Sequence, residues 1–179
     1  MIVKNQQVTV QYLEMLKPED HLPSNKQMDS LQVIEARVKL PFLNKTFYEW
    51  VGGPWQWIDK IGWTDQQWLE YVGREQLKTY VGYFSGTPIG YFEIELQPNR
   101  EVMILYFGLI PEFIGKGFGG LFLSQAIDIS WSYPVDRVWL HTCTLDHPTA
   151  IKNYLNRGFK IFKTEGPSLQ TLFRPKTPF

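Results

Sequence analysis

The strongest constraint on the fold is a nearly unbroken apolar run, VMILYFGLI at residues 102–110, followed after PEFI by the glycine-rich stretch GKGFGG. Consecutive apolar side chains favour a strand that is buried on both faces. Beyond the glycines, the apolar positions 118, 121, 122, 126 and 129 recur at helical spacing. The pattern predicts a strand, a glycine turn and a helix that begins inside the glycines. Because both faces of such a sheet must be covered, we predict an α/β or α+β layer arrangement around a mixed sheet.

Strand and helix signals also occur elsewhere in the chain. Strands are predicted at residues 8–13, 31–40, 79–84, 89–96, 137–144, 159–166 and 168–174. Helical segments are predicted at residues 46–51, 64–73, 118–131 and 146–156, the second with Thr64 as its N-cap and the last with Asp146 in that role. Pro41 is expected to end the second strand, and the turn SGTP to join the next two strands into an antiparallel hairpin.

Composition indicates one globular domain over residues 1–179. The chain has 18 Lys and Arg residues and 18 Asp and Glu residues, so no net field attracts nucleic acid or an anionic membrane. It contains no run of 18 apolar residues and no signal-like N-terminus. The single cysteine, Cys143, suits the reducing cytoplasm, and the 3 dispersed histidines predict no metal site. We therefore expect a cytoplasmic protein without nucleic-acid or membrane partners.

The glycine stretch matches the letters of a dinucleotide-binding fingerprint, G-x-G-x-x-G, at Gly115, Gly117 and Gly120. That fingerprint requires its first glycine at the end of a strand and an acidic residue at the end of the next strand. Here IPEFI separates Leu109 from Gly115, and Asp136 precedes the next strand. A P-loop also fails, because Gly117 rather than Ser or Thr follows Lys116. Two interpretations remain, a phosphate-binding helix N-terminus and a tight helix entry without a ligand.

Two motifs carry a resemblance to a known family. The stretch VMILYFGLIPEFIGKGFGGLFL resembles the acetyl-CoA signature of the GCN5-related N-acetyltransferases, with Gly117 and Gly119 at the two glycine positions and Ile114 where Gln or Arg is usual. The stretch HPTAIKNYLNRGF is similar to the family's second element, with His147 in place of Asn. The matching residues there are Ala150, Tyr154, Gly158 and Phe159. The resemblance covers about residues 79–165 and implies the GNAT fold, a mixed, mostly antiparallel sheet flanked by helices.

The resemblance also implies where acetyl-CoA binds. Splayed central strands at 102–109 and 137–144 would form a V-shaped opening for the pantetheine arm, with backbone groups of Phe107, Leu109 and Ile110 as its hydrogen-bond partners. The loop at 115–120 would hold the pyrophosphate. The implied cofactor-binding residues are Phe107, Leu109, Ile110, Gly115, Lys116, Gly117, Phe118, Gly119, Gly120 and Tyr154.

Acetyl transfer requires an acid for the leaving thiolate, a donor for the developing oxyanion and a neutral amine. The resemblance implies Tyr154 as the acid and the N–H of Leu109 as the oxyanion donor, although a tyrosine among apolar helix residues also suits a core. For the base we favour Glu93, which shares one strand face with Glu95. An outward-facing charged side chain explains Glu93 equally well, and His141 competes as the base because its ordinary pKa lies near neutrality.

The acceptor is an amine that the sequence does not identify. Five of the 7 tryptophans lie within residues 50–68, where they suit a core, a partner surface or the wall of an acceptor pocket. The predicted function is acetyl-CoA-dependent N-acetylation of a primary amine of a small molecule or a protein. The alternative is a non-catalytic CoA-binding sensor or protein-interaction domain. The sequence predicts no oligomeric state.

Overall fold

The computed structural model describes residues 3–173, with side chains for residues 7–168. Within these residues there are seven strands: β1 Val3–Met15, β2 Leu31–Glu35, β3 Leu77–Phe84, β4 Thr87–Gln97, β5 Glu101–Leu109, β6 Arg137–Cys143 and β7 Lys160–Phe173. The α-helices are α1 Pro41–Gly52, α2 Asp65–Gly73, α3 Phe118–Trp131 and α4 Ala150–Asn156. The predicted mixed sheet flanked by helices is thereby confirmed.

The strands form one sheet in the order β2-β3-β4-β5-β6-β1-β7. Neighbouring strands are antiparallel except for β5 and β6, which are parallel. The N-terminal strand β1 lies between β6 and β7, so the two ends of the described chain complete the same half of the sheet. The two closing strands predicted at 159–166 and 168–174 form a single strand, β7, and Arg174 lies outside the described residues.

The parallel strands β5 and β6 separate halfway along their length. Their pairing runs from Glu101 opposite Arg137 to Ile104 opposite Leu140, although β5 continues to Leu109 and β6 to Cys143. A β-bulge lies at the point of separation, because Leu105 has no partner in the register between β4 and β5. Bulges bend the strand that contains them. The V-shaped opening implied by the family resemblance is therefore present between β5 and β6.

Each face of the sheet packs against its own pair of helices. Along β4, Phe92 and Ile94 point into the larger core together with Phe122 of α3 and Tyr154 of α4. Tyr91, which points to the opposite face, packs against α1 in a second core. Fully burying an apolar side chain of this size contributes about 1.5–3 kcal/mol. Both cores therefore hold the sheet rigid on either side of the opening.

Local departures from the predictions have local causes. The strand predicted at 31–40 ends at Glu35, and Pro41 begins α1 instead of only ending a strand, since proline is well suited to the first turn of a helix. Helix α1 consequently covers Pro41–Gly52 rather than 46–51. Helix α2 follows Thr64, which forms the predicted cap and a capping box with Gln67. Helix α4 begins at Ala150, so Asp146 is not its N-cap.

Candidate active site

A cleft of about 1320 Å³ opens where β5 and β6 separate. Residues 104–109 of β5 form one wall, and Leu140, His141 and Cys143 of β6 form the other. The glycine loop and α4 line one end of the cleft. The segment 55–59, which we call the acceptor loop and which follows α1, lines the other end.

The hydrogen-bond register of β4 and β5 determines which backbone groups face the cleft. Ile110 donates its N–H to the carbonyl oxygen of Ile89 at 2.9 Å, so these two residues form a hydrogen-bonded pair. Such pairs alternate with non-hydrogen-bonded pairs along an antiparallel ladder. The backbone groups of Leu109 and Phe107, which lie opposite Gly90 and Phe92, therefore point away from β4 towards the cleft. Both residues line the cleft as expected.

Ile110 differs from its expected role. Its N–H donates to Ile89, and its carbonyl oxygen accepts the N–H of Phe113 at 3.0 Å. Its side chain is buried in the core beneath α1. The prediction that the backbone of Ile110 binds the pantetheine arm is therefore not supported by its placement, because its N–H is already used within the protein.

The glycine loop brings the N-terminus of α3 to the cleft. Gly115 and Gly117 have φ angles of 78° and 91°, which L-residues with side chains rarely adopt. Gly117 is the residue that precedes the first turn of α3. A Cβ there would lie 2.6 Å from the Nζ of Lys26, so the tip of that lysine would have to move. Among the described residues no side chain caps the first turn of α3, so its N–H groups are available to an anion.

The cations Lys26, Lys152 and Arg157 line this end of the cleft, and the sequence analysis named none of them. Lys26 comes from the segment between β1 and β2, and Arg157 follows α4. The Nε and one terminal nitrogen of Arg157 are buried without a hydrogen-bond partner among the described residues. A buried guanidinium without partners is costly. These two nitrogens therefore suit an anionic ligand or ordered water. The sequence signal was the arginine immediately before Gly158 in the second motif.

Of the other predicted loop residues, Gly119 and Gly120 line the cleft, whereas the side chains of Lys116 and Phe118 lie elsewhere. The ammonium of Lys116 lies 5.5 Å from the ring centre of Phe113. Phe118 is buried and packs edge-on against Phe84 and Phe113. The buried ring of Phe118 therefore leaves only its backbone available for a phosphate.

Tyr154 lines the cleft from the side of the sheet that carries α3 and α4. Its ring packs against Phe107 and Phe159. Burial raises the pKa of the Tyr154 hydroxyl, and the charge of Asp146 raises it further. The hydroxyl therefore stays protonated at neutral pH, which a hydrogen-bond donor or acid requires.

His141 faces the cleft from the opposite side of the sheet. Its neighbours Leu140 and Thr142 point towards α3 and α4, so alternation directs His141 to the other face. The surrounding cleft walls partly remove the imidazole from water and lower the pKa of His141, although the charges of Asp146 and Asp59 oppose this effect. The imidazole is therefore neutral at pH 7 and can accept a proton.

Glu93 lies outside the cleft. It is 1% exposed beneath α1 and α2, where its carboxylate accepts hydrogen bonds from Asn44 at 2.7 Å and from the hydroxyl of Tyr71. Burial raises the pKa of Glu93, and the bonds from Tyr71 and Asn44 act in the opposite direction. A carboxylate enclosed in this way cannot contact a bound amine. The placement of Glu93 therefore does not support its predicted role as the base.

Within residues 7–168, Asp59 and Asp146 are the carboxylates that line the cleft. Burial raises the pKa of Asp59, but hydrogen bonds from Lys60, Tyr106 and Tyr48 outweigh it and leave the pKa below its ordinary value. Asp146 accepts hydrogen bonds from the Thr142 hydroxyl at 2.6 Å and from the Cys143 N–H at 3.1 Å. It thus closes the turn after β6, instead of capping α4 as predicted.

The tryptophans of residues 50–68 have different surroundings. Trp68 is buried in the core, and Trp50 is 42% exposed. Trp55 and Trp57 line the cleft. Trp57 donates its indole N–H to Asp146 at 3.4 Å, and Trp55 packs edge-on against His147. The acceptor loop therefore reaches across to the turn before α4 and gives the cleft an aromatic wall.

Comparison with known proteins agrees with this geometry. The model of the acetyltransferase (GNAT) family matches residues 44–159. Because the match covers well over half of the chain, the protein belongs to the GNAT acetyltransferase family, whose members transfer acetyl groups. Among curated proteins, none matches the chain significantly.

Solved structures show the same fold. A GCN5-related N-acetyltransferase from Kribbella flavida superimposes with a TM-score of 0.63 at 13% identity, over 90% of this chain and 57% of that one. The PaiA N-acetyltransferase from Thermoplasma acidophilum, in complex with coenzyme A, superimposes with a TM-score of 0.59 at 20% identity, over 78% of this chain and 96% of that one. An aminoglycoside acetyltransferase from an uncultured soil metagenomic sample, in complex with sisomicin, superimposes with a TM-score of 0.57 at 7% identity, over 72% of this chain and 86% of that one. The chain thus spans little more than half of the Kribbella protein.

Two further observations concern residues 3–173. No helix in this range is long and apolar enough to cross a membrane. No three His, Cys, Asp or Glu side chains in the same range come together as ligands for a metal ion.

The unpaired guanidinium of Arg157 leads to a prediction about coenzyme A binding. Replacing Arg157 with Ala should weaken binding of coenzyme A about tenfold to hundredfold, because a hydrogen bond to a charged group contributes about 1.5–3 kcal/mol. Titration calorimetry measures the effect. The matched control is Arg37→Ala, which removes an exposed guanidinium beside Glu35 at the sheet edge. Equal affinities of the Arg157 and Arg37 variants would contradict the assignment.

Proposed function

We propose that this protein transfers the acetyl group of acetyl-CoA to a primary amine of a small molecule or a protein. The observation that carries the proposal is the cleft between β5 and β6, which connects the two faces of the sheet. An anion-binding helix end and a proton-bearing tyrosine lie towards one face, while a neutral histidine and the Asp59 carboxylate lie towards the other.

The residues present fit acetyl-CoA. The exposed backbone edge of Phe107 and Leu109 suits the amide groups of an extended pantetheine arm, which would add to β5 like a further strand. The N-terminus of α3 and the orphaned guanidinium of Arg157 suit the phosphates. The similar PaiA structure contains coenzyme A, which supports the same ligand here.

When bound, acetyl-CoA supplies a thioester carbonyl that an amine can attack. In our proposal the Leu109 N–H donates a hydrogen bond to the carbonyl oxygen as it gains negative charge. A new C–N bond forms and the C–S bond breaks. His141 takes the proton that the amine nitrogen loses, and the Tyr154 hydroxyl donates to the departing sulfur. The base and the acid thus act from opposite faces of the sheet.

The acceptor end of the cleft favours a cationic or aromatic amine. Trp55, Trp57 and Tyr106 provide flat apolar walls. Asp146 provides negative charge, and so does Asp59, whose charge is partly offset by Lys60 behind it. The cations Lys26, Lys152 and Arg157 line the glycine-loop end instead. This division of charge suits an anionic donor at one end and an ammonium-bearing acceptor at the other. The similar structure of an aminoglycoside acetyltransferase in complex with sisomicin supports an acceptor of this kind.

The test of this proposal is release of the CoA thiol across a panel of aryl, alkyl and polycationic amines and lysine peptides. We expect at least one acceptor to stimulate release. Tyr154→Phe should lower kcat about a hundredfold, because general acid catalysis contributes about 10²–10⁴-fold, while the Kd for acetyl-CoA changes less than threefold. Binding of acetyl-CoA without release by any acceptor would contradict acetyl transfer and favour a non-catalytic CoA-binding domain.

The proposed base predicts a pH dependence. Because His141 must be unprotonated to accept a proton and its pKa is lowered, the rate should rise with pH through an inflection below about 6.5 and then level off. An acceptor of low basicity keeps the amine neutral throughout this range. In His141→Gln the rate should no longer fall at low pH, and at pH 7.5 it should be about a hundredfold lower than in the wild type.

The control for the His141 variant is its affinity for acetyl-CoA, which should stay within twofold of the wild-type value because His141 lies away from the phosphates. If the rate of His141→Gln still fell at low pH as it does in the wild type, another group would be the base.

A further inference from the structure

Lys60 is a buried cation that the proposed reaction does not use. It lies just after the acceptor loop, and its side chain is only 8% exposed. Its ammonium faces four aromatic rings, at 4.5 Å from the centre of Tyr71, 4.7 Å from Trp63, 4.7 Å from Tyr106 and 5.9 Å from Tyr48. We call this arrangement the aromatic box. It resembles a receptor for an alkylammonium ion, but the protein fills it with its own side chain.

The same ammonium holds two residues of the cleft wall. It donates hydrogen bonds to Asp59 at 2.9 Å and to the Tyr106 hydroxyl at 2.6 Å. Tyr106 in turn donates to Asp59, and the second oxygen of Asp59 accepts the Tyr48 hydroxyl at 2.8 Å. Asp59 and Tyr106 line the cleft, whereas Lys60 lies behind them. Lys60 therefore does not line the cleft itself, but it is bonded directly to two residues that line its acceptor side.

The aromatic box connects four separate parts of the fold. Tyr48 belongs to α1, Tyr71 to α2 and Tyr106 to β5, while Trp63 precedes α2. A buried ammonium is costly unless it is paired and hydrogen-bonded. The Lys60 ammonium is both paired with a carboxylate and hydrogen-bonded, and its partners Asp59 and Tyr106 come from different elements. Losing the charge would therefore loosen the attachment of the acceptor loop to β5.

The aromatic box also explains the role of the buried Glu93 carboxylate. The Tyr71 ring that faces the ammonium donates its hydroxyl to the Glu93 carboxylate, and Asn44 occupies the other carboxylate oxygen. Glu93 thereby fixes the orientation of one wall of the box from the core side. Its contribution to the site is indirect and acts through Tyr71.

We propose that Lys60 is a positioning residue whose ammonium, held in the aromatic box, fixes Asp59 and Tyr106 on the acceptor wall of the cleft. The effect on acceptor binding rests on the proposed function. The effect on Asp59 does not, because it is a property of the protein without any substrate.

The first experiment therefore uses the full chain without substrate. Lys60→Ala removes the side chain beyond Cβ, and n-propylammonium matches the atoms that are lost. Carboxyl NMR titration should show that the pKa of Asp59 rises by about one to two units in the variant, because an opposite charge at this distance lowers the pKa of a carboxyl group by about 1–3 units. Added n-propylammonium should restore the wild-type titration, whereas the neutral 1-propanol should not.

A second variant guards against loss of folding. Lys60→Met keeps the length and apolar stem of the side chain without the charge, and it should raise the pKa of Asp59 by the same amount. The matched control is Lys39→Met, since Lys39 is partly buried and bonds to the carbonyl of Leu77 outside the cleft. It should leave the titration of Asp59 unchanged. An unchanged Asp59 titration in Lys60→Met, or equal rescue by 1-propanol, would overturn the proposal.

The second experiment uses the acceptor identified by thiol release. Lys60→Met should raise the KM for that acceptor about tenfold, while the KM for acetyl-CoA stays within twofold. A general loss of structure would change both constants. Equal changes in both would overturn the positioning role, whereas the absence of any active acceptor would count against the proposed function and leave the Asp59 titration as the deciding test.

Discussion

The separation of β5 from β6 is the constraint on which the rest of the site depends. Beyond Ile104 and Leu140 the two strands no longer pair, and the bulge at Leu105 bends β5 away. The backbone groups of Phe107 and Leu109 then face a cleft with no neighbouring strand. Backbone groups removed from water without a partner cost about 1–3 kcal/mol each, so this edge calls for water or an extended polar ligand. The glycine loop and the acceptor loop lie at the two ends of the gap that this separation creates.

The two faces of the sheet give the cleft two chemically different sides. On the side of α3 and α4 the groups are a helix N-terminus, the unpaired guanidinium of Arg157 and the protonated hydroxyl of Tyr154. On the other side they are aromatic rings, the Asp59 carboxylate and the neutral imidazole of His141. An anionic thioester donor and an amine acceptor need these opposite environments at the same time. The gap between β5 and β6 passes through the sheet. It therefore brings the two environments together without a charged side chain between them.

The parts of the site that depend on local sequence could be predicted, and those that depend on long-range packing could not. The buried strand β5 and the start of α3 follow from an apolar run and from glycines, which are local signals. The placement of Tyr154 in the cleft followed from a motif. For Glu93, alternation specified the face of β4, but it did not show that α1 and α2 cover that face. Arg157 was missed because its lack of partners is visible only after folding. The insertion of β1 between β6 and β7 is likewise a pairing between distant segments, which no local pattern encodes.

Backbone amide exchange measured with and without acetyl-CoA tests the central claim most directly, because the claim concerns individual N–H groups. The account predicts that the amides of Phe107 and Leu109 exchange rapidly in the free protein and become strongly protected when acetyl-CoA is bound. The amide of Ile110, which already bonds to Ile89, should be protected in both states and serves as the internal control. Unchanged exchange at Phe107 and Leu109 with saturating acetyl-CoA would show that the exposed edge of β5 is not where the acyl donor binds.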